Sequence, residues 1–219
     1  MISALEERFK TVIHEALTST LTPQGFRRRG RVYVRRLEDL AWMMDVQRSR
    51  YNTREEIQFT INCGVYVPHV LSTYLGLPEP ISPTSVDCCI SARIGMLSED
   101  RLDKWWTLRD QAQAPEDEQA ALDVRKRITR HVLPFLERFP STREVAVYLE
   151  RPRPRNEGRV SPHTEAMAFG CAGIVHLLRG ERETAHDVLA KAVLTATGTP
   201  AEEHVRSLAQ RLLAKGLLA

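Results

Sequence analysis

The run Ile57-Gln58-Phe59-Thr60-Ile61-Asn62-Cys63-Gly64-Val65-Tyr66-Val67 decides the fold. Aliphatic, aromatic or thiol side chains hold every odd position, so the hydrophobic period is two and not 3.6. Successive side chains of a strand point to opposite faces. One face is therefore apolar, while Gln58, Thr60 and Asn62 sit on the other. An antiparallel sheet with one covered and one solvated face has this pattern. Upstream, Leu40, Trp42, Met44 and Val46 share a face of a second strand over 40–49. Its other face passes from Ala41 and Met43 to Asp45, Gln47 and Ser49. Val32, Tyr33 and Val34 mark a strand over 31–37, and Glu38-Asp39 a turn. Short connections make antiparallel meander pairing the natural arrangement. Downstream, Pro68, Pro78, Pro80 and Pro83 predict an irregular connection over 68–87. A fourth strand is predicted over 88–96, with Ser91 and Arg93 on its polar face.

Helices flank these strands. Leu5, Phe9, Val12, Ile13, Ala16 and Leu17 form an apolar stripe at helical spacing, stopped at Thr22-Pro23-Gln24-Gly25. Ser98-Glu99-Asp100 reads as a helix start, with Leu102, Trp105, Trp106 and Leu108 following. A longer helix over 116–137 opens on acids and carries Pro134 as a break. Ser141 and Glu144 have capping-box spacing for a short helix to Leu149.

The fold class is therefore α+β: an antiparallel four-stranded sheet packed on helices in residues 1–150, followed by an all-α tail. A stretch at 151–160, with two prolines, a glycine and no periodicity, reads as a linker. Residues 161–219 read as three helices near 162–179, 182–197 and 200–215, started by Ser161-Pro162 and Thr199-Pro200. Phe169, Gly173, Gly180, Ala185, Leu189 and Ala192 have the spacing of one tetratricopeptide (TPR) hairpin. One such unit cannot bury its own face. The tail is therefore expected to dock on the preceding residues, against the 116–137 helix.

Composition excludes several classes. Apolar residues make up 42% and charged residues 27%, ordinary globular usage. No apolar run approaches the 18 residues of a membrane span, and the opening residues have no apolar signal core. Cys63, Cys88, Cys89 and Cys171 lack metal-site spacing and read as free thiols in a reducing cytoplasm. Neither the seven scattered histidines nor any nucleotide or nucleophile motif marks a metal or catalytic site. No cofactor is expected, and enzymatic activity is left open.

Charge is the uneven feature. Net charge is only +3, yet residues 27–54 hold nine arginines against three acids, a local +6. Arg28 and Arg29 lead that run, and Arg151, Arg153, Arg155 and Arg159 form a smaller one. Tyr33, Arg35, Gln47, Ser49, Thr60, Asn62, Ser91 and Arg93 are expected on the polar side of the sheet. Arginine there offers bidentate contacts to carboxylate or phosphate. An ordinary solvated face and a charged edge strand that resists aggregation have the same composition.

The motifs Gly25-Phe26-Arg27-Arg28-Arg29-Gly30, Val46-Gln47-Arg48-Ser49, Phe59 to Val65, Arg93-Ile94-Gly95-Met96-Leu97 and Asp103-Lys104-Trp105-Trp106 follow one another in order. In that order, residues 5–110 resemble the DUF4304 family of uncharacterised, mainly bacterial proteins. The resemblance implies a fold and no activity. Small α+β proteins of this kind occur among bacterial immunity and defence factors. The first expectation is a non-enzymatic binding protein of immunity type that engages an acidic protein partner through the polar sheet face and basic strand edge. The alternatives are an RNA- or DNA-binding protein, or an enzyme that handles a phosphorylated small molecule through Arg35, Asn62 and Arg93. The oligomeric state is open.

Overall fold

The computed structural model describes residues 3–111, 114–152, 160–214 and 216. The expected linker at 151–160 falls mostly outside them. The described strands are β1 Arg27–Arg29, β2 Val32–Arg36, β3 Ala41–Arg48, β4 Glu56–Tyr66, β5 Ile90–Arg93, β6 Trp106–Arg109 and β7 Val160–Ser161. They make an antiparallel sheet in the order β1-β2-β3-β4-β5-β7, with β6 also paired to β4. The expected four strands are thus seven among the described residues.

The three additions share a physical cause: none is long enough for alternation to announce it. β1 is three arginines, made a strand by pairing with β2 (Arg27↔Val34, Arg28↔Tyr33, Arg29↔Val32). Gly30 (φ +60°) starts the two-residue turn between them, where glycine meets little steric cost. β6 corrects the helix expected after Ser98. Trp106 and Leu108 are buried while Arg109 is exposed, the period of a strand, and Trp106 lies opposite Phe59 in register. A cap-like acidic start was outweighed by that pairing. β7 is only two residues long.

The described helices are α1 Ala4–Ile13, α2 Ser19–Leu21, α3 Val70–Leu75, α4 Ala114–Arg127, α5 Leu133–Leu136, α6 Thr142–Glu150, α7 Glu165–Leu178, α8 Arg182–Ala196 and α9 Glu202–Ala214. A π-helical turn at His14–Thr18 joins α1 to α2, and another at Ile128–Val132 joins α4 to α5, just ahead of Pro134. Widened turns of this kind occur inside α-helices. Helix α3 lies inside the proline-rich connection that read as irregular. Thr164, not Ser161, caps α7, its hydroxyl accepting from the Met167 amide at 3.2 Å.

Contacts divide the chain into two compact units, each assembled from three segments. The first holds Met1–Arg36, Trp42–Cys63 and Ala92–Glu137. Its core is aromatic where α1 meets the sheet. Phe9 meets Phe59 edge-on at 5.3 Å, and Phe59 stacks on Trp106 at 5.6 Å. Such ring pairs add stability beyond their buried area. Arg8 of α1 clamps the α4 carboxylate Asp117 with bonds of 2.6 and 3.0 Å.

The second unit holds Leu37–Ala41, Gly64–Ser91 and Arg138–Ala219. Helices α7 and α8 pair closely, and α7 also packs on α6 and α3. Helix α9 packs on α8, α7 and α3, with Arg211 donating to the Thr73 and Tyr74 carbonyls. Within this unit the tail thus buries its apolar faces against α3 and α6. The imidazole of His176 lies between Glu150 (2.7 Å) and Glu181 (2.6 Å), and Arg179 donates to Glu181. Glu79 accepts from the Tyr66 and Ser72 hydroxyls and from the His69 amide.

Candidate functional site

Register decides which side chains can act together. The Val46 amide donates to the Arg31 carbonyl at 3.1 Å. That pairing puts Tyr33 opposite Met44 and Arg35 opposite Trp42, so odd residues of β2 share a face with even residues of β3. Tyr33 and Arg35 therefore sit on the helix-covered face, not with Gln47, Asn62 and Arg93 as expected. Tyr33 is 1% exposed, and its hydroxyl lies 2.8 Å from that of Thr18. The Arg35 guanidinium lies over the Trp42 ring at 4.8 Å.

The opposite face is polar, but its groups serve one another. The Asn62 amide donates to Gln47 (2.9 Å) and Asp45 (3.2 Å). Arg93 reaches Gln47 at 3.4 Å, forms a 2.6 Å ion pair with Asp103 and lies over the Trp105 ring at 5.1 Å. Thr60 is fully buried, its hydroxyl donating to the Lys104 carbonyl at 2.7 Å. Asp45 is only 5% exposed. A polar network closed in this way fixes the segment around 103–105 over the sheet, as buried polar groups require. Ser49 shapes the turn after β3, its hydroxyl accepting from the Tyr51 amide. Ser91, half-buried on β5, belongs to the second unit.

The basic run is different. Some of its arginines are occupied. Arg28 lies over Tyr33 at 5.6 Å and donates to the Gly30 carbonyl. Arg48 pairs with Glu6 at 2.9 Å and lies over Phe9. Arg50 folds onto Tyr51, at 4.8 Å from its ring. Arg27, Arg29, Arg31, Arg36 and Arg54 are all exposed and have no carboxylate within ion-pair reach among the described residues. Arg31 lies beside the end of β3, so the Gly30–Arg31 turn and the 49–55 loop occupy one end of the sheet. The structure thus gathers Arg29, Arg31 and the loop arginines at the end of the sheet where β1 turns into β2. Counting arginines finds the cluster. It cannot separate the free ones from those stacked on rings, because Glu6 and Phe9 lie far away in sequence.

Other clusters offer less. An open cleft of about 430 Å³ in the second unit is lined by Asp39, His69, Thr142 and Arg179. There Asp39 accepts from the Thr142 amide and hydroxyl at 3.0 and 2.5 Å, fixing the start of α6. A cleft of about 450 Å³ in the first unit is lined by Glu7, Glu15, Asp117 and Glu118. Neither includes Arg35, Asn62 or Arg93. The four cysteines are buried and none is in a disulfide; burial pushes Cys63 and Cys89 up to about 12, which disfavours a thiolate nucleophile. Among the described residues no group of three His, Cys, Asp or Glu side chains is placed to hold a metal ion. No described helix is long and apolar enough to cross a membrane.

No curated protein and no solved structure matches the chain. One family model does, described as a domain of unknown function (DUF4304), over residues 17–138. That span takes in the basic edge, the polar network and β3 to β6. It covers more than half of the 219 residues, so the chain belongs to the DUF4304 family.

Proposed function

We propose that the protein is a non-enzymatic binding protein that engages an acidic partner through the basic edge formed by β1, the Gly30–Arg31 turn and the 49–55 loop. The observation that carries this is the set of exposed arginines without ion-pair partners, in a unit where Arg8, Arg48, Arg93, Arg109 and Arg127 all have them. Uncompensated surface charge raises association rates with a complementary partner and fixes register. The polar sheet face, by contrast, has its side chains committed to one another and to the 103–105 segment.

A bacterial immunity-type role, the neutralisation of an acidic toxin, is the concrete version of this reading. Buried cysteines outside any disulfide suit a reducing cytoplasm. We read α7 and α8 as a TPR-like hairpin appended to the family domain. A Cβ at Gly173 would stand 2.5 Å from Leu189 Cγ, so the two helices approach where a small residue allows it. Nucleic acid is the less favoured ligand. The net charge is small, and Tyr33 is buried where stacking would need it free; Tyr51, 73% exposed, is the one aromatic of the basic end open to a base.

The test is affinity capture from the native host with the wild-type chain and with Arg27→Ser, Arg29→Ser and Arg31→Ser combined. An acidic protein held by the wild type, and lost in the variant while folding is unchanged, supports the reading. Capture of no protein at low or moderate salt, or equal capture by both chains, overturns it. So does a generic oligonucleotide that binds with a steep salt dependence and displaces every captured protein.

A further inference from the structure

We propose that the outer edge of β1 is a strand-addition site for an extended acidic segment whose carboxylates stand two residues apart. This rests on the acidic-partner reading above and specifies how the partner is held.

The backbone supplies the first half of the argument. Hydrogen-bonding groups alternate from side to side along a strand. The bond from the Val46 amide to the Arg31 carbonyl therefore assigns the odd residues of β2 to β3. Val32 and Val34 address β1 instead, and their partners are Arg29 and Arg27. Arg28, between those two, turns its N–H and C=O away from β2. Strand β1 ends the sheet order, all three of its residues are exposed, and no described residue bonds the Arg28 backbone from outside the sheet. One donor and one acceptor are thus presented to an incoming strand, a known mode of peptide recognition.

The side chains decide which strand is admitted. Arg27 and Arg29 project from one face, and Arg28 from the other, where it folds back on Tyr33 and the Gly30 carbonyl. An antiparallel segment bonded at Arg28 places its two flanking residues opposite Arg27 and Arg29. Those are non-hydrogen-bonded pairs, the class in which side chains approach most closely. Carboxylates at these two positions meet two unpaired guanidiniums. A second copy of this edge is rejected, because it would set three arginines against three. The charges that block indiscriminate strand pairing therefore leave an acidic strand as the admissible one, attraction and rejection acting together.

The probes are fluorescein-labelled nonapeptides followed by anisotropy with the full chain at about 50 mM salt. One alternates Asp with Thr, a second has the same composition with its aspartates in two adjacent pairs separated by two threonines, so that no two stand two residues apart, and a third is the alternating peptide N-methylated at the central residue. The alternating peptide is expected to bind. The other two are expected to bind about tenfold more weakly, the equivalent of one hydrogen bond at the strong end of its range. Two variants supply an independent reading. Arg28→Ala removes the charge, whereas Arg28→Pro also removes the outward N–H and spares the ladder, since that amide is not bonded to β2. Equal thermal unfolding with about tenfold weaker peptide binding by the proline variant supports strand addition. If all three peptides bind equally well to the wild type, strand addition is overturned while the acidic-partner reading stands. If neither these peptides nor poly-L-glutamate bind at all, both fall.

Discussion

Replacing Thr60 by valine removes a hydroxyl from the middle of the sheet while keeping shape and volume nearly constant. Thr60 is fully buried, and its hydroxyl is 2.7 Å from the Lys104 carbonyl, the contact that ties the segment ahead of β6 down onto β4. The variant loses a hydrogen bond worth about 1 kcal/mol net and leaves that carbonyl without this donor, a further cost of roughly 1 kcal/mol where water cannot enter. The sum, about 1–2 kcal/mol, corresponds to a fall in Tm of about 2–8 °C for a chain of this size. Urea unfolding followed by circular dichroism reads the first number, with the slope expected to stay constant. Affinity for the acidic partner is expected to remain within a factor of two, because Thr60 is on the closed network and not on the basic edge. Two results would refute the reasoning. Stability within about 0.5 kcal/mol of wild type, the range of ordinary surface changes, would mean that the hydroxyl is not structural. Lost affinity at unchanged stability would mean that the polar face is the site after all.

Three further outcomes are expected. Gly64→Ala would set a Cβ 2.6 Å from the Ile90 carbonyl oxygen and 2.7 Å from Cys88 Cβ; a backbone atom yields little, so a loss of about 2–3 kcal/mol is expected in the same unfolding assay, and a neutral result would contradict the close approach of β5. Cys63 and Cys89, with thiols pushed up to about 12 by burial, should resist an aromatic disulfide reagent at pH 8 until denaturant is added, and a rapid reaction in the native state would refute this. Hydrogen bonds from Arg179 and then His176 hold the Glu181 carboxyl down to about 2. The unfolded chain therefore binds more protons through that range, so this contribution is complete above the ordinary carboxylate range and lost as pH falls toward 2. With the side chain 37% exposed, solvent screening keeps it small; Glu181→Gln should flatten the fall in Tm between pH 5 and 2, and an identical pH profile would show that the cluster is not coupled to folding.

The legible parts of this fold are those that a local pattern writes out. Strand β4 could be read because each of its side chains declares a face, and α6 because Ser141 and Glu144 stand at capping distance. Strand β6 could not, because the four residues Trp106 to Arg109 become a strand only through Phe59 and its neighbours, nearly fifty positions away. Helix α3 is hidden among prolines for the same reason. The candidate site was legible as a charge count and illegible as a geometry. Tyr33 and Arg35 change faces with the parity of one inter-strand register, which the bonds from Val46 to Arg31 and from Leu37 to Leu40 fix. Thr60 alternates with apolar residues exactly as a solvated threonine would; only the segment that crosses above it makes it a core residue.

The division into two units has a consequence for how the chain is made. Each unit is assembled from three separate stretches, so neither can be excised as a single contiguous fragment. On the ribosome, the first unit must wait for its last stretch, which ends at Glu137. By then Gly64–Ser91, including α3, has already emerged without the α7 and α9 surfaces that cover it. Those arrive only with the final third of the chain, at roughly 5–20 residues per second. For several seconds, then, nascent chains expose Val70, Leu71 and Tyr74, all buried in the finished protein. A stall or premature stop after residue 150 would make that exposure permanent, and truncated products should be cleared by proteases or held by chaperones rather than accumulate as a working half.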